Sequence, residues 1–215
     1  MTDQLLGLRE RKKADTRRAL SDAALSLAFE RGLDNVTRDD IASLAGVSLR
    51  TFNNYFSGKY EALAYRQAER MRRSIAALRQ RPAGEPLWTS LRLAMLEPLE
   101  ADFADVHGDV NQAPSRQELV ELRKLLLNPQ LRNALPQKLF DELLEVIAER
   151  TGTDPDRDMY PRLVVAVVRA VGDAAVEAYV RADPPAAITE LIRSGFAAVS
   201  AGLPEPSKRK EAHHG

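Results

Sequence analysis

The sequence predicts an all-α protein built in two parts, and three observations lead to that prediction. Apolar residues recur at intervals of three and four almost throughout the chain, which is the period of an amphipathic helix. Alternating β-branched runs, the signature of strands, are nowhere sustained. The clearest helix-breaking stretch is Arg81-Pro82-Ala83-Gly84-Glu85-Pro86. We therefore expect an N-terminal domain over 1–81, a larger C-terminal helical domain over 82–203 and a disordered polar tail over 204–215.

The first part has four expected helices with recognisable ends. They lie over about 8–31, 38–45, 48–55 and 58–79. Gly32 is a good residue to follow the first helix. Thr37, Ser48 and Ser57 stand where N-caps of the next three belong, and Asp40 completes the Thr37 motif. Gly46 supplies the positive φ that a tight turn between the two short helices needs.

The second part is also predicted to be helical, with most helix starts marked by proline. The expected helices lie over about 86–105, 115–126, 136–151, 156–182 and 184–202. Pro86, Pro136, Pro155 and Pro184 stand at or near first helical positions. The stretch His107–Pro114 is expected to be a loop.

Charge is distributed unevenly although the formal net charge is zero. Residues 1–81 have a balance of +6, from 16 Lys/Arg against 10 Asp/Glu, and residues 82–215 have a balance of −6. A basic first part and an acidic second part indicate that the first part binds a polyanion.

Cysteine is absent, which excludes disulfides and thiolate chemistry. No apolar run reaches membrane-spanning length and no signal-peptide pattern stands at the N-terminus, so we expect a cytoplasmic protein without a membrane partner.

The stretch from Thr37 to Leu63 describes two short helices joined by a tight turn. The apolar residues expected to hold the pair together are Ile41, Leu44, Val47, Phe52 and Phe56. The second helix would then expose Leu49, Arg50, Asn53 and Asn54. This set suits a DNA major groove, since Arg pairs with guanine, Asn pairs with adenine, and Leu packs on a thymine methyl.

These residues resemble the DNA-binding domain of TetR-type transcriptional regulators over about 50 residues. The shared positions are Thr37, Ile41-Ala42, Ala45-Gly46-Val47-Ser48, Thr51, Tyr55-Phe56 and Lys59. Asn53 departs from the pattern, because the family often has an aromatic residue there. Helix capping or core packing would explain several of these residues taken one at a time. The resemblance therefore depends on the whole pattern of residues and spacings.

The resemblance implies a set of roles at the DNA. Phosphate contacts would come from Thr37, Ser48, Thr51, Tyr55 and Lys59, and base contacts from Arg50, Asn53 and Asn54. The basic entry to the first helix would track the DNA backbone or minor groove, and it consists of Arg9, Arg11, Lys12, Lys13, Arg17 and Arg18. The implied partners are a palindromic double-stranded operator, a second copy of the chain and a small-molecule effector.

No constellation of catalytic residues stands out in the second part. His107 is the only histidine outside the tail, and no phosphate-binding glycine loop or metal-ligand spacing occurs. Acidic neighbours such as Asp141-Glu142 fit the solvated face of an amphipathic helix. We therefore expect no enzyme activity, no cofactor and no metal.

Large apolar residues of the second part supply a candidate effector pocket. For any one of them a plain core is the simpler interpretation, but the resemblance implies a cavity for a largely apolar molecule. The candidate lining residues are Trp88, Leu91, Met95, Phe103, Phe140, Leu144 and Arg169. Arg169 has two interpretations. It pairs with Asp173 one turn later, which we favour because that partner is visible, or it meets an acidic ligand group.

Small residues crowd the last two expected helices, and close helix packing follows from them. Examples are Ala166, Ala170, Ala174, Ala175 and Ala197. The resemblance implies a homodimer through this pair of helices, and packing within one chain alone is the alternative.

The leading hypothesis for function is a repressor that an apolar effector releases from DNA. Activation, an effector-free architectural DNA-binding protein, and an enzyme that uses the helix pair for packing are the other hypotheses.

Overall fold

The computed structural model describes residues 2–106, 116–182 and 187–205, and all regular structure within these ranges is helical, as predicted. The α-helices there are α1 (Thr2–Arg31), α2 (Arg38–Leu44), α3 (Leu49–Tyr55), α4 (Lys59–Gln80), α5 (Leu87–Val106), α6 (Arg116–Leu127), α7 (Pro129–Asn133), α8 (Gln137–Thr151), α9 (Met159–Arg181) and α10 (Ile188–Ser200). A short 3-10 turn, Leu33–Asn35, follows α1. The expected loop His107–Pro114, the start at Pro184 and residues 206–215 of the expected tail lie outside the described residues.

Four of the predicted caps and turns near the N-terminus are confirmed, and one is wrong. Helix α1 ends at Arg31, and Gly32 follows it with a φ of 79°. The Thr37 side chain accepts a hydrogen bond from the Asp40 N–H, and the Asp40 carboxylate accepts one from the Thr37 N–H. The Ser48 hydroxyl caps α3, and Gly46 has a φ of 69°. Ser57 does not cap α4, because its N–H and hydroxyl both donate to the Glu61 carboxylate and Gly58 takes the N-cap position.

The short helix α7 is absent from the predicted elements. Asn128 caps it by accepting from two backbone N–H groups, and Pro129 occupies its first position. Five residues are too few for a periodic apolar pattern to emerge.

The interior consists of two apolar clusters, and α4 contributes to both. The first cluster joins α1, α2 and α3 to the start of α4, through residues such as Leu20, Ile41, Phe52 and Leu63. The second joins the rest of α4 to α5, α8, α9 and α10. Leu125 of α6 is 3% exposed and belongs to the first cluster, so a helix from the second half of the chain completes the core of the first.

A polar anchor holds the C-terminal end of α4 to α8. The Arg150 guanidinium donates to the carbonyls of Arg81 and Pro82 at 2.9 Å each, and to the Ser90 hydroxyl at 3.0 Å. Arg81 and Glu85 form a two-bonded ion pair beside it. The segment predicted as a break is therefore a turn that side chains fix in place.

Candidate nucleic-acid interface and effector site

Helix α3 presents a solvent-facing row of side chains on a fixed support. Phe52 is fully buried, and its ring centroid lies 5.9 Å from that of Phe56. The Ser48 hydroxyl accepts from the Thr51 N–H at 3.1 Å and shares a second hydrogen bond with the Thr51 hydroxyl at 2.9 Å. With one face buried and the first turn capped, the opposite face is held in a defined orientation. The predicted base-reading residues lie on that exposed face, and they are Leu49, Arg50, Asn53 and Asn54.

Helix α2 packs against the same core by its Ile41 and Ala42 side chains, which are buried. The prediction that Leu44 holds the helix pair together is wrong, because Leu44 is 54% exposed. Helix α2 ends at this residue, and Val47 packs against the cluster after the Gly46 turn. One polar contact also joins α2 to α3, since the Arg38 guanidinium donates to the Asn53 side-chain oxygen at 3.4 Å.

Arg17 and Tyr55 meet at the edge of α3. The guanidinium carbon of Arg17 lies 5.5 Å from the centroid of the Tyr55 ring, within the range of a cation–π contact. Both residues are half-buried, whereas Arg18 and the basic residues of 9–13 are exposed. Of the predicted basic entry, Arg17 is therefore the residue that the fold brings to α3.

Lys59 is turned towards the protein. Its ammonium donates to the carbonyls of Leu33 and Val36, at 2.9 and 3.0 Å, and lies 5.6 Å from the centroid of the Tyr60 ring. Two of its three N–H donors are thus used inside the domain. The predicted phosphate contact is left with one donor. The main role of this side chain in the structure is to tie the 3-10 turn to the start of α4.

Two titratable groups in this half have shifted pKa values. Hydrogen bonds from the Thr37 side chain and backbone lower the pKa of Asp40, so its carboxylate stays ionised as a capping group. Burial raises the pKa of Tyr65, whose ring packs edge-on to Phe56 at 5.7 Å between centroids. Neither shift introduces a proton-transfer group at the exposed face of α3.

The predicted effector residues have different environments. Leu91 is fully buried in the second cluster, and Trp88, Met95, Phe140 and Leu144 are half-buried and pack against it. The side chain of Phe103 lies outside the described residues. Trp88 also faces a hollow of about 310 Å³, together with Thr89, Arg92, Phe196, Ala197, Ser200 and Ala201. The other predicted effector residues with described side chains do not line this hollow, and they are Leu91, Met95, Phe140, Leu144 and Arg169.

Arg169 makes a contact that the two interpretations did not include. Its guanidinium carbon lies 4.4 Å from the centroid of the Phe140 ring, a close cation–π contact between α9 and α8. The residue is exposed, so its charge lies over the outer side of this aromatic ring. Two neighbouring helices are thereby joined at their surface.

The sequence interpretation missed Arg92, which follows Trp88 by one helical turn. That spacing places the two side chains on one helix face, and it is the sequence signal that could have identified Arg92.

No group of three side chains that could hold a metal ion occurs among the described residues. No helix in the described ranges has the length and apolarity needed to cross a bilayer.

Together these features define a class: a helix-turn-helix transcriptional regulator with a second helical domain. Residues 20–64 match the family described as bacterial regulatory proteins of the tetR family, and residues 85–204 match the MftR C-terminal domain. The chain belongs to the TetR family. It is 36% identical over 182 residues to the HTH-type transcriptional regulator TcmR of Streptomyces glaucescens, covering 82% of this chain and 79% of that protein.

Solved structures share this fold. A TetR-family transcriptional regulator from Syntrophomonas wolfei superposes with a TM-score of 0.58 at 17% identity, covering 90% of this chain and 99% of that one. The TetR-family repressor FadR of Thermus thermophilus, solved with lauroyl-CoA, gives a TM-score of 0.51 at 21% identity, over 90% and 97% of the two chains. At these identities the likeness concerns the fold.

Proposed function

We propose that this protein is a ligand-responsive repressor, which binds a palindromic operator as a homodimer and leaves it when a small, largely apolar effector binds. The observation that carries the proposal is the exposed face of α3. Its four side chains match a major groove in chemistry and stand on a helix fixed by the Ser48 cap and the buried Phe52 ring.

The side chains divide by role in this proposal. Arg50, Asn53 and Asn54 reach base edges, and Leu49 packs against a thymine methyl. Phosphate contacts come from the exposed hydroxyls of Thr37 and Ser48, from the half-buried Thr51, and from the Arg17–Tyr55 pair at the edge of α3. Lys59 belongs to these contacts only through its remaining N–H donor.

Release from DNA follows from the path of α4. In this proposal the domains are 1–81 and 82–203, and α4 leaves the first to pack in the second, since its residues occur in both apolar clusters. An effector that prefers a different packing around the second cluster tilts α4 and shifts the population away from the DNA-binding spacing. In support, the Thermus thermophilus protein of the same fold holds lauroyl-CoA, an amphipathic acyl ligand.

The test is a binding measurement against a pool of random duplexes, followed by anisotropy titrations on the selected site. We expect a two-fold symmetric site with half-sites about 34–36 Å apart, and an affinity that falls steeply with salt. Arg50→Ala and Asn54→Ala should each cost about 1–3 kcal/mol and relax preference at one base step per half-site. Arg79→Ala is the matched control, since Arg79 is exposed on α4 outside the proposed interface.

Two results would overturn the proposal. Equal affinity for every duplex at all salt concentrations would leave an architectural DNA-binding protein. Loss of affinity in Arg79→Ala equal to that in Arg50→Ala would mean that α3 does not read the DNA.

A further inference from the structure

The hollow beside Trp88 lies between α5 and the C-terminal end of α10, and its lining is chemically mixed. Trp88 and Phe196 supply aromatic surface, Thr89 and Ser200 supply hydroxyls, and Arg92 supplies a guanidinium. Within the described ranges its lining includes no carboxylate, so these lining residues have a formal charge of +1. Its volume of about 310 Å³ is at the small end of the range found for ligand pockets.

Arg92 differs from every other half-buried cation whose side chain the structure describes. Three of them pair with carboxylates: Arg70 with Asp102, Arg81 with Glu85, and Arg193 with Glu100 and Glu190. Three donate to backbone carbonyls, and these are Lys59, Arg123 and Arg150. Arg17 lies over the Tyr55 ring.

Arg92 has no hydrogen bond, ion pair or ring contact with any residue in the described ranges. The N–H donors of the Arg92 guanidinium are thus not used by any described residue. An anion in the hollow would accept charge-assisted hydrogen bonds from them. The cation expected for an acidic ligand group is therefore Arg92, since the Arg169 guanidinium already lies over Phe140.

We propose that this hollow binds a small monocarboxylate with an aromatic or short aliphatic body, and that this molecule is the effector. The carboxylate pairs with Arg92, the hydroxyls of Thr89 and Ser200 complete its hydrogen bonds, and the apolar body lies against Trp88 and Phe196. One cation without a neighbouring carboxylate matches one negative charge. The assignment of effector rests on the proposed regulator function, whereas binding itself does not.

Trp88 makes the test direct, because it is the only tryptophan of the chain and it lines the hollow. The probes are 3-phenylpropanoate and octanoate, each compared with its primary amide, titrated into the full-length protein while tryptophan emission is recorded. We expect both acids to change the emission saturably, and both amides to bind about tenfold or more weakly. Arg92→Gln should remove the preference for the acid, and Arg92→Lys should keep part of it. Arg162→Gln, an exposed position on α9, should behave as wild type.

Several results would overturn the site. Equal binding of acid and amide, or an unchanged acid preference in Arg92→Gln with an unchanged circular dichroism spectrum, would exclude Arg92 as the anion partner. Emission that depends on protein concentration without any probe would mean that a second copy of the chain covers the hollow.

A parallel anisotropy titration on the protein–DNA complex separates the two proposals. Release of DNA by the acids supports both. Saturable binding at Trp88 without release supports the site and rejects its effector role. Absence of specific DNA binding, with the Trp88 titration intact, rejects the regulator function and keeps the site.

Discussion

Lys59 joins the 3-10 turn to the start of α4 with one ammonium group. The carbonyls of Leu33 and Val36 accept from it, and both would lose a charged donor in Lys59→Met, which keeps much of the apolar stem. We expect this variant to lower the free energy of unfolding by about 1–3 kcal/mol in urea titrations. Arg50→Ala, an exposed position on α3, is the control and should leave stability unchanged. Unchanged stability in Lys59→Met, with uniformly weaker DNA binding, would restore Lys59 to the phosphate contacts.

Glu85 makes the turn between α4 and α5 sensitive to acid. Hydrogen bonds from Arg81 and then Ser90 lower the pKa of its carboxyl from 4.5 to about 2. A lowered pKa in the folded state stabilises the fold above pH 4.5, and the contribution is lost as the pH falls towards 2. Glu85→Gln should therefore reduce stability at neutral pH and flatten the dependence of the unfolding free energy on pH between about 5 and 2.

The matched control for this measurement is Glu97→Gln. Glu97 lies 3.6 Å from the same arginine, but it is 57% exposed. Its replacement should leave the pH profile near that of wild type. Equal slopes for wild type and Glu85→Gln would contradict the assignment of the acid-sensitive step to Glu85.

Single residues were predictable from the sequence where their partners are close in the chain. Thr37 and Ser48 form hydrogen bonds to backbone groups three residues further on, and Gly46 forms a local turn. The sequence predicts all three. Lys59 bonds to carbonyls 26 and 23 residues away, and Arg169 stacks on Phe140 of another helix. Periodicity along one helix carries no information about such contacts. That is why the roles of these two cations could not be derived.

At the level of helices, α6 connects the two halves of the chain. Leu125 is buried in the first cluster, and Arg123 on the same helix donates to the Ala182 carbonyl at the end of α9. We expect Leu125→Ala to cost about 2–5 kcal/mol, because it leaves a cavity in a packed core. Hydrogen exchange should then accelerate in α1 and α2 as well as in α6.

The comparison variant is Leu127→Ala, two residues further along α6. Leu127 is 49% exposed, so its replacement should change stability by less than about 0.5 kcal/mol. Faster exchange confined to α6 in Leu125→Ala would contradict a connection between the halves. The sequence predicted α6 as a helix but could not place it in the first core, since its apolar residues fit either cluster.

At the scale of the whole molecule, the fold agrees with the uneven charge of the sequence. The basic half forms the cluster that supports α3, and the acidic half forms most of the second cluster. The all-α architecture was predictable because helical periodicity is a local property repeated along the chain. How α4 passes between the two clusters, and how α6 joins the first and α9 the second, was not, because it depends on contacts between distant segments.

The outer face of α9 is the surface on which assembly is expected. Met159 is 74% exposed, Tyr160 44% and Leu163 50%, and burial of this apolar area against a second copy of the chain would be favourable. Further along this helix Ala174 is exposed, whereas the neighbouring Ala175 is only 4% exposed and belongs to the protomer interior. Both residues are alanines, so the sequence alone does not show which of them faces outward. Because Ala174 is the exposed one, it is the position at which to test the dimer.

Ala174→Arg should convert the expected homodimer into a monomer, because a long charged side chain would enter a contact suited to small residues. Sedimentation velocity at micromolar concentration measures this, with Ala76→Arg on the exposed face of α4 as the control. The monomer should keep its helical circular dichroism and its thermal unfolding, yet bind a two-half-site duplex much more weakly, since one recognition helix makes half the contacts. A monomeric wild type would contradict the dimer, and a dimeric Ala174→Arg would move the interface away from this part of α9.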